Sequence, residues 1–477
     1  EAARKRAALH IPAPRLKLPG HAESYNPPPE YLLTDEERKQ AIKSADYPHR
    51  VAPTLPKQYS SMRLVPAYQP FIRERFERCL DLYLCPRTTK LRRNVDPKDL
   101  LPDLPKASEL RPFPERKALT YRGHSERVRS ISVDSTGQWL VSGGDDNTVR
   151  VWEVSTGRCL GVYDVGSQVY SVEWNPNPDH SVIAVGLKNG DVLLMVPPRT
   201  VIGEQLENAL AFLKVTSSQP EQRKPTKGRQ SVDALFWEDL TVAKKSPYPK
   251  TFQARIHHGK LGISRMSWHS KGDYLAVISE YSTSSSSKDQ VRIHRISSSK
   301  SQSPFRRLKG QVQEVRFHPS KPVLFVATQR YVRVYDLQKQ ALMKKLQPGV
   351  QFISTMAVHP TGDHVLVGSY DRRVAWFDMD LSQRPYRTLR YHRQAVRAVA
   401  FHRTFPLYCS VGDDGRLHLF HARVYDDLLH NPLLVPIRSL PAHEVVEHLG
   451  VLDCAFHPTQ PWAFTAGADA DIHLFSS

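Results

Sequence analysis

Residues 123–152 read GHSERVRSISVDSTGQWLVSGGDDNTVRVW, and this stretch decides the fold. Gly123-His124 opens it, Ser142-Gly143 ends its second apolar run, and Asp146 stands six residues before Trp152. These residue types fit a buried chain in which Asp146 accepts from the His124 imidazole and the histidine is bonded onward through Ser142 to the Trp152 indole, pinning a tight turn. The underlying phrase is a short strand, a stop, a second strand ending in Gly or Ser, an Asp turn, and a third strand ending in an aromatic. From Leu119 onward it occurs seven times, with first strands ending at Val133, Trp174, Trp268, Phe317, Val358, Phe401 and Phe456.

The spacings are 41, 94, 49, 41, 43 and 55 residues, close to the roughly 40–45 residues of a WD-type repeat except where insertions intrude. Asn175-Pro176, His318-Pro319, His359-Pro360 and His457-Pro458 stop the first strands, because proline cannot donate to a ladder. The His-Ser-Asp set recurs as His392, Ser410, Asp414 and Phe420, and as His443, Thr465, Asp469 and Phe475. Phenylalanine brings no indole N–H, so those two chains are shorter. Each blade of a propeller needs four strands, and the last repeat supplies three. The fourth must come from Ala118 to Tyr121. The expectation is an all-β, seven-bladed WD-type β-propeller over 118–477, closed by its own N-terminal strand, with an insertion at about 199–250. Within that insertion Glu204 to Leu213 reads as a helix, Glu221 to Gln230 as a basic polar run, and Leu235 to Leu240 as apolar. Ser282 to Ser287 reads as a hairpin tip.

Residues 1–117 are different. They hold 17 of the 37 prolines, 23 Lys plus Arg and 15 Asp plus Glu, a net of +8. Runs such as Asn26-Pro27-Pro28-Pro29 exclude sheet and long helix, so this is a basic, proline-rich, largely extended arm with two short helices. One starts at Thr34, whose hydroxyl caps while Glu37 reaches back. The other covers about Phe71 to Leu84, with Ile72, Phe76, Leu80 and Leu84 on one stripe.

The whole chain has 477 residues and a net charge of +19, which favours polyanionic partners. Five widely spaced cysteines without a CxxC pair point to a reducing compartment. No apolar stretch approaches the roughly 20 residues that span a bilayer, so no membrane partner is expected. The chain opens on Glu1 rather than Met, which leads us to expect a preceding segment. Phosphate-cradling, dinucleotide, zinc-protease and nucleophile-elbow motifs are absent; the expectation is no catalysis, no cofactor and no metal. His124, His392 and His443, like Asp146, Asp414 and Asp469, read as structural residues of the repeat.

Three sets of cations stand out as candidate binding residues. In the arm, Arg4, Lys5, Arg6, Arg15 and Lys17 precede Tyr25, and Arg87, Lys90, Arg92 and Arg93 follow the amphipathic helix. An extended arm of this kind can lie along RNA, arginines neutralising phosphates and aromatics stacking on bases. Arg223, Lys224, Lys227 and Arg229 form a second patch in the insertion. In blade one, Arg122, Arg127, Arg129, Arg150 and Arg158 are candidates for docking an acidic partner surface.

The run Leu18-Pro19-Gly20-His21-Ala22-Glu23-Ser24-Tyr25-Asn26-Pro27-Pro28-Pro29-Glu30-Tyr31-Leu32, then Tyr68 to Leu84 and a seven-bladed ring with an insertion in blade two, resembles the block-of-proliferation family, called the eukaryotic ribosome biogenesis protein in yeasts. The resemblance implies a non-catalytic scaffold of the nucleolus and nucleoplasm, acting in pre-60S assembly and ribosomal RNA processing as the WD-repeat member of the PeBoW complex. It implies as partners the ribosomal RNA precursor, Pescadillo, a second WD-repeat protein with a ubiquitin-like domain, and pre-60S ribosomal proteins and assembly factors. The arm would wind over RNA and Pescadillo while the ring docks the second propeller. A nuclear peptide-binding adaptor, such as a ubiquitin-ligase substrate receptor, is the alternative; it would use the channel mouth and leave the arm free of RNA.

Overall fold

The computed structural model describes residues 25–45, 56–61, 64–66, 68–85, 106, 108–200, 203–214, 235–241, 247–259, 261–280, 290–305, 310–425 and 432–477. The chain divides into two units, Glu1–Asp103 and Leu104–Ser477. In the first, a single 3-10 turn at Pro29–Tyr31 precedes helix α1 (Asp35–Ala45) and helix α2 (Tyr68–Leu84). The Thr34 amide donates to Glu37 Oε2 at 2.9 Å and the Glu37 amide to Thr34 Oγ1 at 3.5 Å, the reciprocal capping that the Thr-x-x-Glu spacing predicts. Helix α2 starts three residues before Phe71, since Pro70 falls in the first turn, where a missing N–H costs nothing. Its stripe of Ile72, Phe76, Leu80 and Leu84 is exposed.

The second unit is a seven-bladed β-propeller. Its first strands run Val128–Val133, Val169–Trp174, Ile263–Trp268, Val312–Phe317, Ile353–Val358, Val396–Phe401 and Val451–Phe456, each ending where the repeat phrase placed it. They lie side by side in order, and the seventh returns to the first. Six sheets have four strands and the second has five. The extra strand, Phe236–Asp239, comes from the insertion and pairs with Phe252–His257. Helix α3 (Glu204–Phe212) precedes it, and Ala209 and Leu213 pack into the apolar seam between blades two and three. The serine-rich tip at 282–287 lies outside the described residues, as does the basic run of the insertion.

Closure is by strand pairing. Arg116–Tyr121, two residues longer than the sequence reading, runs antiparallel to Ile472–Ser476, with Thr120 opposite His473 and Tyr121 opposite Ile472. Tyr121 is 1% exposed. Its hydroxyl donates to the Val154 carbonyl at 2.7 Å, so one residue joins the closing strand to blade one.

Among the described residues, seven apolar clusters fill the seven seams between blades. Polar ties cross the same seams. The residue after a first strand reaches the next blade's turn: Asn175 Nδ2 donates to the Gly272 carbonyl at 3.0 Å, His402 Nε2 to Gln460 at 2.7 Å, and His457 Nε2 to Gly137 at 3.1 Å. Gly137 has a φ of +81°, and a Cβ there would sit 2.1 Å from His457 Nε2. His457, the histidine of a His-Pro stop, is thus an inter-blade tie as well as a strand end. The ring Nδ1 is occupied too: in His457 it accepts from the amides of Thr459 and Gln460, and in His402 from Thr404 and Phe405.

Two expectations follow. Tyr121→Ala removes a buried ring and strips the Val154 carbonyl of its partner, so it lowers unfolding free energy by about 3–5 kcal/mol in urea melts. Burial pushes His318, His402 and His457 below the usual imidazole range, and His359 to about 4. The unfolded chain therefore binds more protons than the folded ring, and stability falls as pH drops from about 6.5 toward 4. Scanning calorimetry across that window should show a falling Tm.

Candidate binding surfaces of the arm and of the ring

Of the arm cations, Arg4, Lys5, Arg6, Arg15, Lys17, Arg87, Lys90, Arg92 and Arg93 lie outside the described residues, and so do Arg223, Lys224, Lys227 and Arg229 of the insertion. Tyr25 is half-buried, and its carbonyl accepts from the Tyr59 amide at 2.9 Å.

In blade one the repeat residues meet as a continuous chain. Trp152 Nε1 donates to Ser142 Oγ at 2.8 Å, Ser142 Oγ lies 2.8 Å from His124 Nε2, and His124 Nδ1 lies 2.8 Å from Asp146 Oδ2. Burial works to raise the Asp146 carboxyl, but the His124 imidazole and the Thr148 hydroxyl and amide outweigh it, leaving it at about 2. The equivalent contacts in blade six are His392 to Asp414 at 3.0 Å and to Ser410 at 2.8 Å. In blade seven they are His443 to Asp469 at 2.8 Å and to Thr465 at 2.8 Å. These six imidazole contacts tie the loop entering each first strand to the turn between its second and third strands.

The five blade-one arginines do not form one patch. Arg127 and Arg129 both donate to Asp145, whose carboxylate is almost wholly buried. Arg150 is 16% exposed, with Nη2 4.0 Å from Asp146 Oδ2. Arg158 is exposed in the turn between the third and fourth strands, at the opposite edge of the sheet from the Asp145-Asp146 turn. Arg122, 81% exposed and 3.6 Å from Asp471, is the one of the turn-edge arginines that is free to meet a partner. Exposed Arg122 and Arg158 therefore stand at opposite edges.

Asp145 was not among the sequence candidates, nor was Asp413, which chelates Arg397 through Nε at 2.8 and 2.9 Å and Nη2 at 2.8 Å. The signal was present: an Asp-Asp pair in the turn, with an arginine at the second position of the first strand, occurs in both blades. A second omission is the channel. A cavity of ≈ 570 Å³ is lined by first-strand residues of all seven blades, among them Ser130, Glu173, Arg265, Glu314, Thr355 and Asp453. In three blades the third residue of the first strand caps an amide of the next blade. The Val172 amide donates to Ser130 Oγ at 3.2 Å, Met356 to Glu314 Oε2 at 2.6 Å, and Ile131 to Asp453 Oδ2 at 3.0 Å. Arg316 bridges Glu173 at 3.3 Å and Glu314 at 2.8 Å. Burial, reinforced by the Asp453 and Glu314 carboxylates, carries Glu173 to about 7 against the pull of Arg316.

Residues 1–114 match the BOP1NT (NUC169) domain, and residues 116–153, 344–378, 383–421 and 434–476 match the WD domain, G-beta repeat. The chain is 51% identical over 472 residues to "Ribosome biogenesis protein bop1" of Danio rerio, and 49% identical over 471 residues to "Ribosome biogenesis protein BOP1" of Homo sapiens. To "Ribosome biogenesis protein BOP1 homolog" of Dictyostelium discoideum it is 46% identical over 471 residues. The chain belongs to the block-of-proliferation family. The three alignments cover 99%, 99% and 98% of this chain but 58%, 61% and 55% of the relatives, so the chain spans about three fifths of the length of the curated relatives it matches. Blades two to four fall between the matched WD segments; blade two carries the insertion and all three lack the Gly-His-to-Trp set of blade one, yet they complete the ring.

The internal roles of the arginines generate a contrast. Arg150→Glu sets a second carboxylate against Asp146 in a largely dry site and costs on the order of 2 kcal/mol in urea melts. Arg158→Glu, on an exposed turn, changes stability by less than about 0.5 kcal/mol.

Proposed function

We propose that this chain is a non-catalytic scaffold in assembly of the large ribosomal subunit, working in the nucleolus and nucleoplasm on pre-60S particles. One observation carries the reading: near-half identity to proteins named for ribosome biogenesis runs unbroken through arm and ring alike. The chemistry of the two units supports a division of labour. The arm has a net charge of +8 and 17 prolines, so it gains little by folding on itself and much by lying along a polyanion. Ribosomal RNA precursor is the fitting polyanion, held by Arg4, Lys5, Arg6, Arg15, Lys17, Arg87, Lys90, Arg92 and Arg93 with Tyr25 stacking. The exposed stripe of α2 offers Ile72, Phe76, Leu80 and Leu84 as a ridge for a protein neighbour, which in this reading is Pescadillo.

The ring supplies rigidity. Seven apolar seams, polar ties between blades and a closing strand leave its loops in fixed positions, which suits the docking of a second WD-repeat protein whose ubiquitin-like domain is then presented to remodelling machinery. Pre-60S ribosomal proteins and assembly factors would meet the remaining surface.

The test is a salt titration of precursor RNA binding with the full chain. Charge reversal of Arg4, Lys5, Arg6, Arg15, Lys17, Arg92 and Arg93 should weaken binding and flatten the log–log salt slope by about 0.7 for each of these cations that contacts a phosphate. An unchanged slope would remove the arm from RNA binding. Crosslinking and sequencing of bound RNA that recovered no ribosomal precursor would overturn the assembly role.

A further inference from the structure

Blade six departs from blade one at two positions, and together they leave metal-binding lone pairs facing one another. In blade one, the Trp152 indole N–H takes one of the two lone pairs of Ser142 Oγ, and the ionised Asp146 carboxylate holds the His124 hydrogen at Nδ1. A fixed cation, Arg150, stands beside the same carboxylate. In blade six Phe420 replaces the tryptophan and His418 replaces the arginine, each at the same distance from its turn aspartate. Ser410 Oγ, 2.8 Å from His392 Nε2, has no indole donor and is free to accept from it. His392 Nδ1, 3.0 Å from Asp414 Oδ2, can then exchange its hydrogen for a cation that the carboxylate also binds.

His418 supplies the second, independent observation. It is 7% exposed. Its Nε2 is buried without a hydrogen-bond partner, and Asp414 Oδ2 stands 3.7 Å away. Its ring lies perpendicular to that of His392, at 84° with centroids 4.3 Å apart. A buried imidazole nitrogen left without a partner calls for an explanation.

We propose that His392 Nδ1, Asp414 and His418 Nε2 form a Zn2+ site at the tip of blade six. The three donor atoms lie within 4.8 Å of one another. The contacts to Asp414 Oδ2, 3.0 Å from His392 and 3.7 Å from His418, bracket the roughly 3.3 Å edge of a tetrahedron with bonds of about 2.0–2.1 Å. Two imidazoles and a carboxylate suit zinc, with water in the fourth position. Ser410 orients His392, and the Arg393 and Arg416 amides, at 3.2 and 3.3 Å, steady the carboxylate. The ion supplies the charge that Arg150 supplies in blade one. Blade seven repeats the residue types as His443, Asp469 and His473 but not the free donor. His473 Nδ1 is 2.6 Å from the Ala442 carbonyl, and its Nε2 is 2.8 Å from Lys117 Nζ.

The test is equilibrium dialysis of the full chain against ZnCl2, with Co2+ absorption as a reporter of tetrahedral geometry and thermal melts of metal-free protein to verify folding. One equivalent should bind. His418→Arg, which restores the blade-one pairing, should weaken binding at least about tenfold. Phe420→Trp removes no ligand but adds an indole donor that competes for the Ser410 hydroxyl orienting His392, and should weaken it about tenfold, the low end for disturbing an outer-shell partner. His473→Arg should leave binding unchanged. His418→Gln serves should the arginine variant fail to fold. No bound Zn2+ in the unmodified chain, or equal binding by folded His418 variants, overturns the proposal.

Discussion

Blades of this ring satisfy part of one another's inner edge. A first strand exposes amides toward the channel, and an unpaired buried amide costs about 1–3 kcal/mol. Three such amides are met from the preceding blade, Val172 by Ser130, Met356 by Glu314 and Ile131 by Asp453. The last of these runs from blade seven back to blade one. Closure therefore also satisfies blade one, and the pairing of Arg116–Tyr121 with Ile472–Ser476 brings the two ends of the ring together.

The same dependence explains where the charges go. Arginines that look available on the strand pattern are drawn into carboxylates of adjacent turns, Arg127 and Arg129 into Asp145 and Arg397 into Asp413. What remains for partners is the exposed minority, Arg122 and Arg158 at opposite edges, together with the loops that these pairs hold still. The channel uses its charges inwardly as well: Arg316 spans Glu173 and Glu314 across blades. A scaffold benefits from this economy, since rigid loops dock a partner without losing much conformational freedom on binding.

Blade-to-blade variation then acquires chemical meaning. Where the third strand carries Trp152, its indole shares the serine hydroxyl; where it carries Phe420, the serine is left to the histidine, and His418 brings a buried imidazole nitrogen beside the same aspartate.

The sequence by itself determined the repeat number, the residue at which every first strand ends, the capping of α1 and the origin of the closing strand. These follow from local chemistry: proline stops, Asp turns, alternating apolar positions and the four-strand requirement of a blade. The tertiary structure decided which polar residues are spent inside the ring. His457 reads as part of a strand stop, yet it ties blade seven to blade one. Five arginines read as docking candidates, yet Asp145 holds two of them. Ser130, Glu314 and Asp453 cap amides of the next blade. Such roles rest on contacts between residues more than 40 positions apart, and a one-dimensional pattern records residue type and spacing but not which distant acceptor a side chain will meet.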